Sequence, residues 1–137
     1  EMKQYKDNPA KMAALQKQAL QKSLIEPFKQ KNVHAYDFEQ LPENRYDVII
    51  NATSAGLSGH LPALKPQHIT ADLTCYDMSY ASQLTPFLSW AQRQGATELI
   101  DGLGMLVGQA AASFEIWRQV KPRVERILAA LREEMSE

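Results

Sequence analysis

Apolar and polar residues alternate or cluster along this chain in patterns that predict four strands. Residues 33–38 alternate between apolar and polar side chains, as a half-buried strand does. Residues 47–52 form a short β-branched apolar run, which is typical of a strand buried on both faces of a parallel sheet. Residues 71–78 and 97–100 are two further candidate strands. A long loop rich in glycine and proline, residues 53–66, is expected after the second strand.

The start of the chain predicts a helix that begins at Asn8 and Pro9. Asn is a strong N-cap residue, and Pro suits the first helical position. Pro27 is expected to end or kink this helix near Glu26, because proline has no N–H donor and clashes with the preceding turn. The broad apolar face of this helix contains Met12, Leu15, Ala19, Leu20, Leu24 and Phe28.

Three more helices are predicted in the second half of the chain. Thr85 and Pro86 begin the first, and Gly95 ends it. The second follows a tight turn at residues 101–104 and is broken by Pro122. Its apolar positions are Leu103, Leu106, Val107, Ala110, Ala111, Phe114 and Trp117. The last helix carries one apolar stripe, formed by Val124, Ile127, Leu128, Leu131 and Met135. Strands that alternate with helices predict an α/β fold with a parallel sheet flanked by helices.

The composition fits one globular domain and excludes several classes of function. The 137 residues include 15 Lys and Arg against 16 Asp and Glu, so charge favours no nucleic-acid partner. No apolar run approaches the roughly 18–20 residues that span a bilayer, so we expect no membrane partner. The first residues lack the apolar segment of a signal peptide, so none is expected. The single cysteine, Cys75, excludes an intramolecular disulfide and a Cys-cluster zinc site, and it fits a cytoplasmic setting. No metal site is predicted, since His34, His60 and His68 have no suitable spacing.

Ligands of open parallel sheets bind at the carboxyl ends of the strands. Three segments are expected there, namely residues 51–56, 78–80 and 101–109. The small side chains of the first segment would let a flat ligand approach the backbone, and its amide and hydroxyl groups could form hydrogen bonds. The alternative is an ordinary exit from a strand into a polar turn. The residues concerned are Asn51, Ala52, Thr53 and Ser54.

The third segment contains glycines that resemble a dinucleotide fingerprint but differ by one residue. Gly102, Gly104 and Gly108 follow a Gly-x-Gly-x-x-x-Gly pattern, and the expected acidic residue is missing, so this is not the main phosphate loop. The glycines still leave backbone exposed at a helix N-terminus, where polar or anionic ligands are favoured. Met105 and Gln109 lie on one helix face, from which Gln109 could bind a hydroxyl. The alternative is a core methionine and a surface glutamine.

Tyr80 follows the third predicted strand at the same end of the sheet. Its hydroxyl could donate to a substrate carboxylate or hydroxyl. The alternative is a buried tyrosine whose hydroxyl has one internal partner. Cys75 lies inside the strand and is expected to be an inert packing residue.

Four segments in series resemble the C-terminal half of shikimate dehydrogenase. They are residues 47–56, 76–80, 85–88 and 101–111, and the resemblance covers residues 33–137. It implies a partial Rossmann-like sheet followed by two C-terminal helices. The family interconverts 3-dehydroshikimate and shikimate with NADP in aromatic amino-acid biosynthesis. The resemblance therefore implies NADP as cofactor, with the cofactor supplying the hydride and the protein orienting it.

The resemblance also assigns roles to individual residues. Along the path of the cofactor it places Asn51, Ala52, Thr53 and Ser54. At the border of the nicotinamide it places Met78, Gly102, Met105 and Leu106. In contact with the substituents of the shikimate ring it places Tyr80 and Gln109.

Other parts of the family pattern have no counterpart in this chain. These are the N-terminal substrate domain with its catalytic Lys and Asp, the Gly-rich phosphate loop, and the Asn-Arg-Thr segment that selects the 2′-phosphate. We therefore expect a truncated chain that has no catalytic residue and is inactive alone. Residues 1–32 match the family poorly and form a separate helical segment, which at best stands in for the helix before residue 33.

The missing strands would leave residues 47–52 with an exposed edge. We expect residues 33–38 to move beside that edge, or two chains to pair there or through their helices as a homodimer. Two other functions remain open. One is a non-catalytic binding or assembly module, and the other is a quinate/shikimate dehydrogenase relative with altered substrate or cofactor choice.

Overall fold

A computed structural model describes residues 32–43 and 45–136, together with residues 10, 13, 14, 17–20, 23 and 26. The side chain of Leu57 lies outside the description. The chain divides into two compact units, Glu1–Leu41 and Pro42–Glu137. Among the described residues, no helix is both long enough and apolar enough to cross a membrane.

The first unit contains the predicted N-terminal helix. Its described residues before 26 are all helical, which confirms a helix there, and both Ala19 and Leu20 of the predicted apolar face are exposed. The expectations for its capping residues, for Pro27 and for the rest of the apolar face lie outside the described residues. Lys17 Nζ lies 2.6 Å from Asp37 Oδ1 in an ion pair.

The strand predicted at residues 33–38 is wrong. Residues 33–37 have no regular structure, and a 3₁₀ helix spans Phe38–Gln40. The sheet of the second unit has three strands, and residues 33–38 are not among them. A strand needs a neighbour that completes its ladder of hydrogen bonds, so alternation without a partner does not produce one.

The second unit is built on a parallel sheet of β1 (Val48–Asn51), β2 (Thr74–Asp77) and β3 (Glu98–Ile100). The strands lie in chain order with β2 in the centre, and Ile49, Cys75 and Leu99 are aligned across the sheet. Helices α1 (Pro86–Arg93), α2 (Leu103–Arg118) and α3 (Val124–Ser136) complete the unit. The sheet and its helices confirm the α/β prediction.

The core lies on one face of the sheet, between the strands and α1. Cys75 is fully buried there, as predicted, and Ile49 and Leu99 pack partly buried beside it. The buried members of this cluster are Ile69, Leu73, Cys75, Phe87, Leu88, Ala91 and Ala96. The opposite face is open, with Val48 52% and Ile50 62% exposed, so burial of this strand on both faces was wrong. A helix covers only the face that it packs against, and α1 packs on one face.

Helix α1 begins and ends where the sequence predicts. Thr85 is the N-cap, and its Oγ1 accepts a hydrogen bond from the Leu88 amide at 3.3 Å. Gly95 follows the helix with a φ of +105°, a conformation that glycine adopts without strain.

Helices α2 and α3 pack against each other and leave an apolar groove between them. Leu103, Val107 and Ala111 of α2 are buried, as the predicted stripe required. The other predicted core positions of α2 are exposed, namely Leu106, Ala110, Phe114 and Trp117. The prediction was wrong at these four positions, because the elements that pack against α2 bury only one row of its side chains. Helix α2 ends at Arg118 with Gln119 in the left-handed conformation, before Pro122 is reached.

Candidate functional site

The three strand-end segments meet at one edge of the sheet, as the sequence predicts. Asn51 and Asp77 are partners in the β1–β2 register. The amide of Met78 donates to the carbonyl oxygen of Asn51 at 3.0 Å. The amide of Gly102 donates to the carbonyl oxygen of Ser79 at 2.9 Å. These main-chain bonds join the ends of β1 and β2 to the start of α2.

A buried carboxylate lies at the centre of this edge. Asp77 is fully buried, and its Oδ1 accepts from the Ser79 amide at 3.0 Å and from Asn51 Nδ2 at 3.3 Å. Its Oδ2 accepts from the hydroxyl of Thr85 at 2.6 Å. Burial of a carboxylate is costly unless donors replace water, and here three donors do so.

The side chain of Asn51 carries this network to the first segment. Its Oδ1 accepts from both the amide and the hydroxyl of Thr53, at 3.1 and 2.8 Å. Asn51 is buried, whereas Ala52, Thr53 and Ser54 are exposed. A buried amide therefore orients an exposed segment that a ligand can reach.

At Gly102, the backbone that precedes α2 lies close to the backbone of Met78. Gly102 is buried, and a Cβ built on it would lie 2.0 Å from the carbonyl oxygen of Met78 and 2.6 Å from its carbonyl carbon. No side chain fits there. Gly104 and Gly108 have nothing within 4 Å of such a Cβ, so these two glycines are not required by packing.

Met78 and several side chains that follow it or Gly102 in sequence are partly exposed. Met78, Tyr80, Met105 and Leu106 are each 40–45% exposed, so Tyr80 is not the buried tyrosine of the alternative interpretation. Gln109 is exposed, and its Nε2 donates to the carbonyl oxygen of Leu106 at 3.1 Å. Because the side chain is exposed and this bond is local, a rotation of the side chain is enough to bring the amide to a ligand.

An ion pair connects α3 to the turn before α2. Asp101 Oδ1 accepts from the Leu103 amide at 3.2 Å and from Arg132 Nη2 at 2.5 Å. The bond to Asp101 raises the pKa of the Arg132 guanidinium. Beside the pair lies a cleft of about 240 Å³, lined by Ala81, Ser82, Gln83, Leu84, Leu88, Leu99, Asp101 and Arg132.

Sequence reasoning did not identify Asp77, the hydroxyl of Thr85 or the Asp101–Arg132 pair as parts of this edge. The available signal was Asp77 itself, an acidic residue near the carboxyl end of a predicted strand. Within the described part of the chain, no cluster of three or more His, Cys, Asp or Glu side chains could hold a metal ion.

The chain is similar to known proteins that are named shikimate dehydrogenases. Residues 102–132 match the family model of the shikimate 5′-dehydrogenase C-terminal domain. The NADP(+) shikimate dehydrogenase of Colwellia psychrerythraea is 48% identical over 110 residues, which are 80% of this chain and 40% of that protein. The one from Shewanella halifaxensis is 59% identical over 90 residues, or 66% of this chain and 32% of that protein.

The chain matches the C-terminal part of the shikimate dehydrogenases. It spans about 40% of the length of the Colwellia relative, so only part of the enzyme is compared. The predicted resemblance to a C-terminal part of shikimate dehydrogenase is confirmed, and the names of the relatives describe NADP-dependent oxidoreductases.

Solved structures of other proteins share the fold. An Ael1 enzyme from Pseudomonas putida has a TM-score of 0.73 and 35% identity, over 85% of this chain and 42% of that one. A shikimate dehydrogenase in complex with NADP+ has a TM-score of 0.65 and 29% identity, over 87% and 43%. The Thermus thermophilus shikimate dehydrogenase in complex with shikimate has a TM-score of 0.62 and 27% identity, over 84% and 41%. The sheet is therefore Rossmann-like, as the resemblance predicts.

Proposed function

We propose that this chain forms the nicotinamide-side wall of an NADP-dependent shikimate dehydrogenase, which interconverts 3-dehydroshikimate and shikimate. The main support is the junction of the three strand-end segments, held by the Met78–Asn51 and Ser79–Gly102 main-chain bonds. The names of the relatives support the choice of cofactor and substrate. Residues 33–137 would form the cofactor-binding portion, and residues 1–32 a separate helical segment.

The residues at this edge suit a flat ring better than a phosphate chain. The half-exposed thioethers of Met78 and Met105, with Leu106, offer apolar surface, and Gly102 keeps the backbone beside them free of side-chain bulk. Residues 47–64, 76–92 and 97–117 contain no Lys or Arg, so these segments provide no cation for a phosphate. When bound, the dinucleotide supplies the hydride.

Polar groups at the same edge would orient the ligands. Buried Asn51 holds Thr53, whose segment with Ala52 and Ser54 would line the path of the cofactor. The phenol of Tyr80 and the amide of Gln109 would contact the hydroxyl or carboxylate groups of shikimate or 3-dehydroshikimate. No catalytic residue is assigned, since Asp77 is fully buried and bonded to three donors. We propose that the chain alone does not turn over substrate.

Calorimetric titration of NADPH and of shikimate into the purified chain tests this function. We expect both to bind, with Met105→Ala weakening NADPH and Gln109→Ala weakening shikimate by about tenfold, the effect of about 1.4 kcal/mol. Met135→Ala in α3 and Gln92→Ala in α1 are matched controls that should bind normally. Absence of NADPH binding at millimolar concentration, or equal losses in the controls, would contradict the proposal.

We also propose a cytoplasmic location and self-association through the edge of β1. The free, buried thiol of Cys75 suits a reducing compartment. In the described sheet β1 pairs only with β2, and its Val48 and Ile50 side chains are largely exposed, a combination that favours pairing with a second chain.

Light scattering at increasing protein concentration tests the self-association. We expect a dimer that Ile50→Lys converts to a monomer, because a charge on the strand opposes edge pairing. Ile116→Lys, at a position 70% exposed on α2, is the control and should leave the dimer intact. A monomer at every concentration would exclude the homodimer.

A further inference from the structure

The three donors to the Asp77 carboxylate come from three different segments. Asn51 ends β1, Ser79 belongs to the connection after β2, and Thr85 caps α1. Asp77 is the last residue of β2, the central strand. One carboxylate therefore joins a neighbouring strand, the connection that carries Met78 and Tyr80, and the helix that follows.

The three bonds to Asp77 restrict the positions of the segments that donate them. Hydrogen bonds to an ionised carboxylate are about twice as strong as neutral ones. A buried carboxylate that loses a donor is left partly unsolvated, which is costly. The connection after β2 cannot move without breaking the bond from the Ser79 amide, at 3.0 Å.

The network reaches the ligand-facing groups in one further step. Asn51 donates to Asp77 through Nδ2 and accepts from Thr53 through Oδ1, so its amide has one orientation. The carbonyl of Ser79, whose amide is held by Asp77, accepts from the amide of Gly102.

We propose that Asp77 is a positioning residue, which holds the Thr53 segment and the Met78–Tyr80 segment in the arrangement that binds the nicotinamide ring. The expected effect of Asp77 on ligand binding rests on the function proposed above. Asp77 acts through Asn51, Ser79 and Thr85 and touches no ligand itself.

Amide hydrogen exchange tests the positioning directly. Asp77→Ala should lower the protection of the Ser79 amide by about 10- to 100-fold, because that amide loses its direct bond to the buried carboxylate. Protection of the Thr53 amide should fall by a smaller factor, because its acceptor Asn51 loses only the bond that orients it. The amide of Ala96, which donates to the Ala91 carbonyl at 3.1 Å at the other end of α1, is the internal reference. Asp77→Asn should restore most of the protection, because its oxygen still accepts and its amide can donate to Thr85.

Leu73→Ala is the matched structural control. Leu73 is fully buried in the same core, just before β2, and it lies outside the network. This variant should be less stable yet keep the relative protection of Ser79 and Thr53. Equal losses in Leu73→Ala, or no loss in Asp77→Ala, would overturn the proposal. If Asp77→Ala does not fold, Thr85→Val is the substitute, because it removes one donor to Asp77 and touches neither segment directly. It should lower protection at Ser79 and Thr53 relative to Ala96, and unchanged protection there would overturn the proposal.

Ligand affinity gives the second readout. The NADPH affinity of folded Asp77→Ala should fall about tenfold or more, with recovery in Asp77→Asn and little change in Leu73→Ala. Unchanged affinity in Asp77→Ala would overturn the role in binding. If the unaltered chain does not bind NADPH, the proposed function fails, while the exchange experiment still decides whether Asp77 positions the two segments.

Discussion

The α-carbon of Gly102 lies against the backbone of Met78, so closely that an added Cβ would be 2.0 Å from the Met78 carbonyl oxygen. The neighbouring bond from the Gly102 amide to the Ser79 carbonyl fixes the same approach. The atoms in conflict are main-chain atoms of a well-anchored segment, so no side-chain rotation can relieve the clash. The start of α2 and the end of β2 can meet in this way only at glycine.

Gly102→Ala is therefore expected to destabilise the protein by about 1–3 kcal/mol or more, the usual effect of overpacking. Urea denaturation measures the loss. Gly104→Ala is the control, because a Cβ there meets nothing within 4 Å. Alanine is the better helix former, so this control should be neutral or stabilising by up to about 1 kcal/mol. An unchanged midpoint in Gly102→Ala would contradict the close approach.

The hydroxyl of Thr85 has two functions that valine cannot replace. It donates to Asp77 at 2.6 Å and accepts from the Leu88 amide at 3.3 Å. We expect Thr85→Val to cost about 2–3 kcal/mol, from a lost bond to a charged group and a lost helix cap. Thermal unfolding should show Thr85→Ser close to the unaltered protein. Similar losses in both variants would mean that the methyl group, and not the hydroxyl, stabilises this site.

Cys75 is expected to be unreactive in the folded protein. It is fully buried, and burial raises the pKa of its thiol above the ordinary value of 9.0. The native state then holds its proton where the unfolded state loses it, so this group's contribution to stability declines as pH rises above the unfolded pKa. Labelling with a disulfide reagent at pH 8 should proceed at the rate of opening, and denaturant should accelerate it. Rapid labelling without denaturant would contradict burial, and Cys75→Ala should make the loss of stability at alkaline pH smaller.

The Arg132–Asp101 pair is expected to contribute little by charge alone. Arg132 is 44% exposed, and exposed ion pairs stabilise proteins by about 0–1 kcal/mol. Arg132→Ala should lower stability by no more than that amount, and less at high salt. Asp101→Ala should cost more, because the Leu103 amide also loses its acceptor. Equal losses in urea denaturation would indicate that the Leu103 bond contributes nothing.

Much of the local structure could be predicted from the sequence. A β-branched apolar run predicted β1, and residues 71–78 and 97–100 were predicted as the strands that contain β2 and β3. Thr85 and Gly95 marked the ends of α1, because capping signals depend on the residue itself and its near neighbours. The three segments at the carboxyl ends of the strands were predicted from the rule for parallel sheets, and main-chain bonds bring them together. The roles of single side chains toward cofactor and substrate stay predictions.

Tertiary structure alone decided which apolar surfaces are covered. Residues 33–38 have the alternation of a strand but no place in the sheet, and Ile50 and Trp117 are exposed although their patterns predicted burial. Hydrophobic periodicity shows which face of an element is apolar, but a distant part of the chain must cover that face. The bond from Asn51 to Asp77 also depends on tertiary structure, because the two residues are 26 apart in sequence and meet only when β1 pairs with β2. The sequence thus determined elements and their order, while pairing and packing decided burial and the shape of the site.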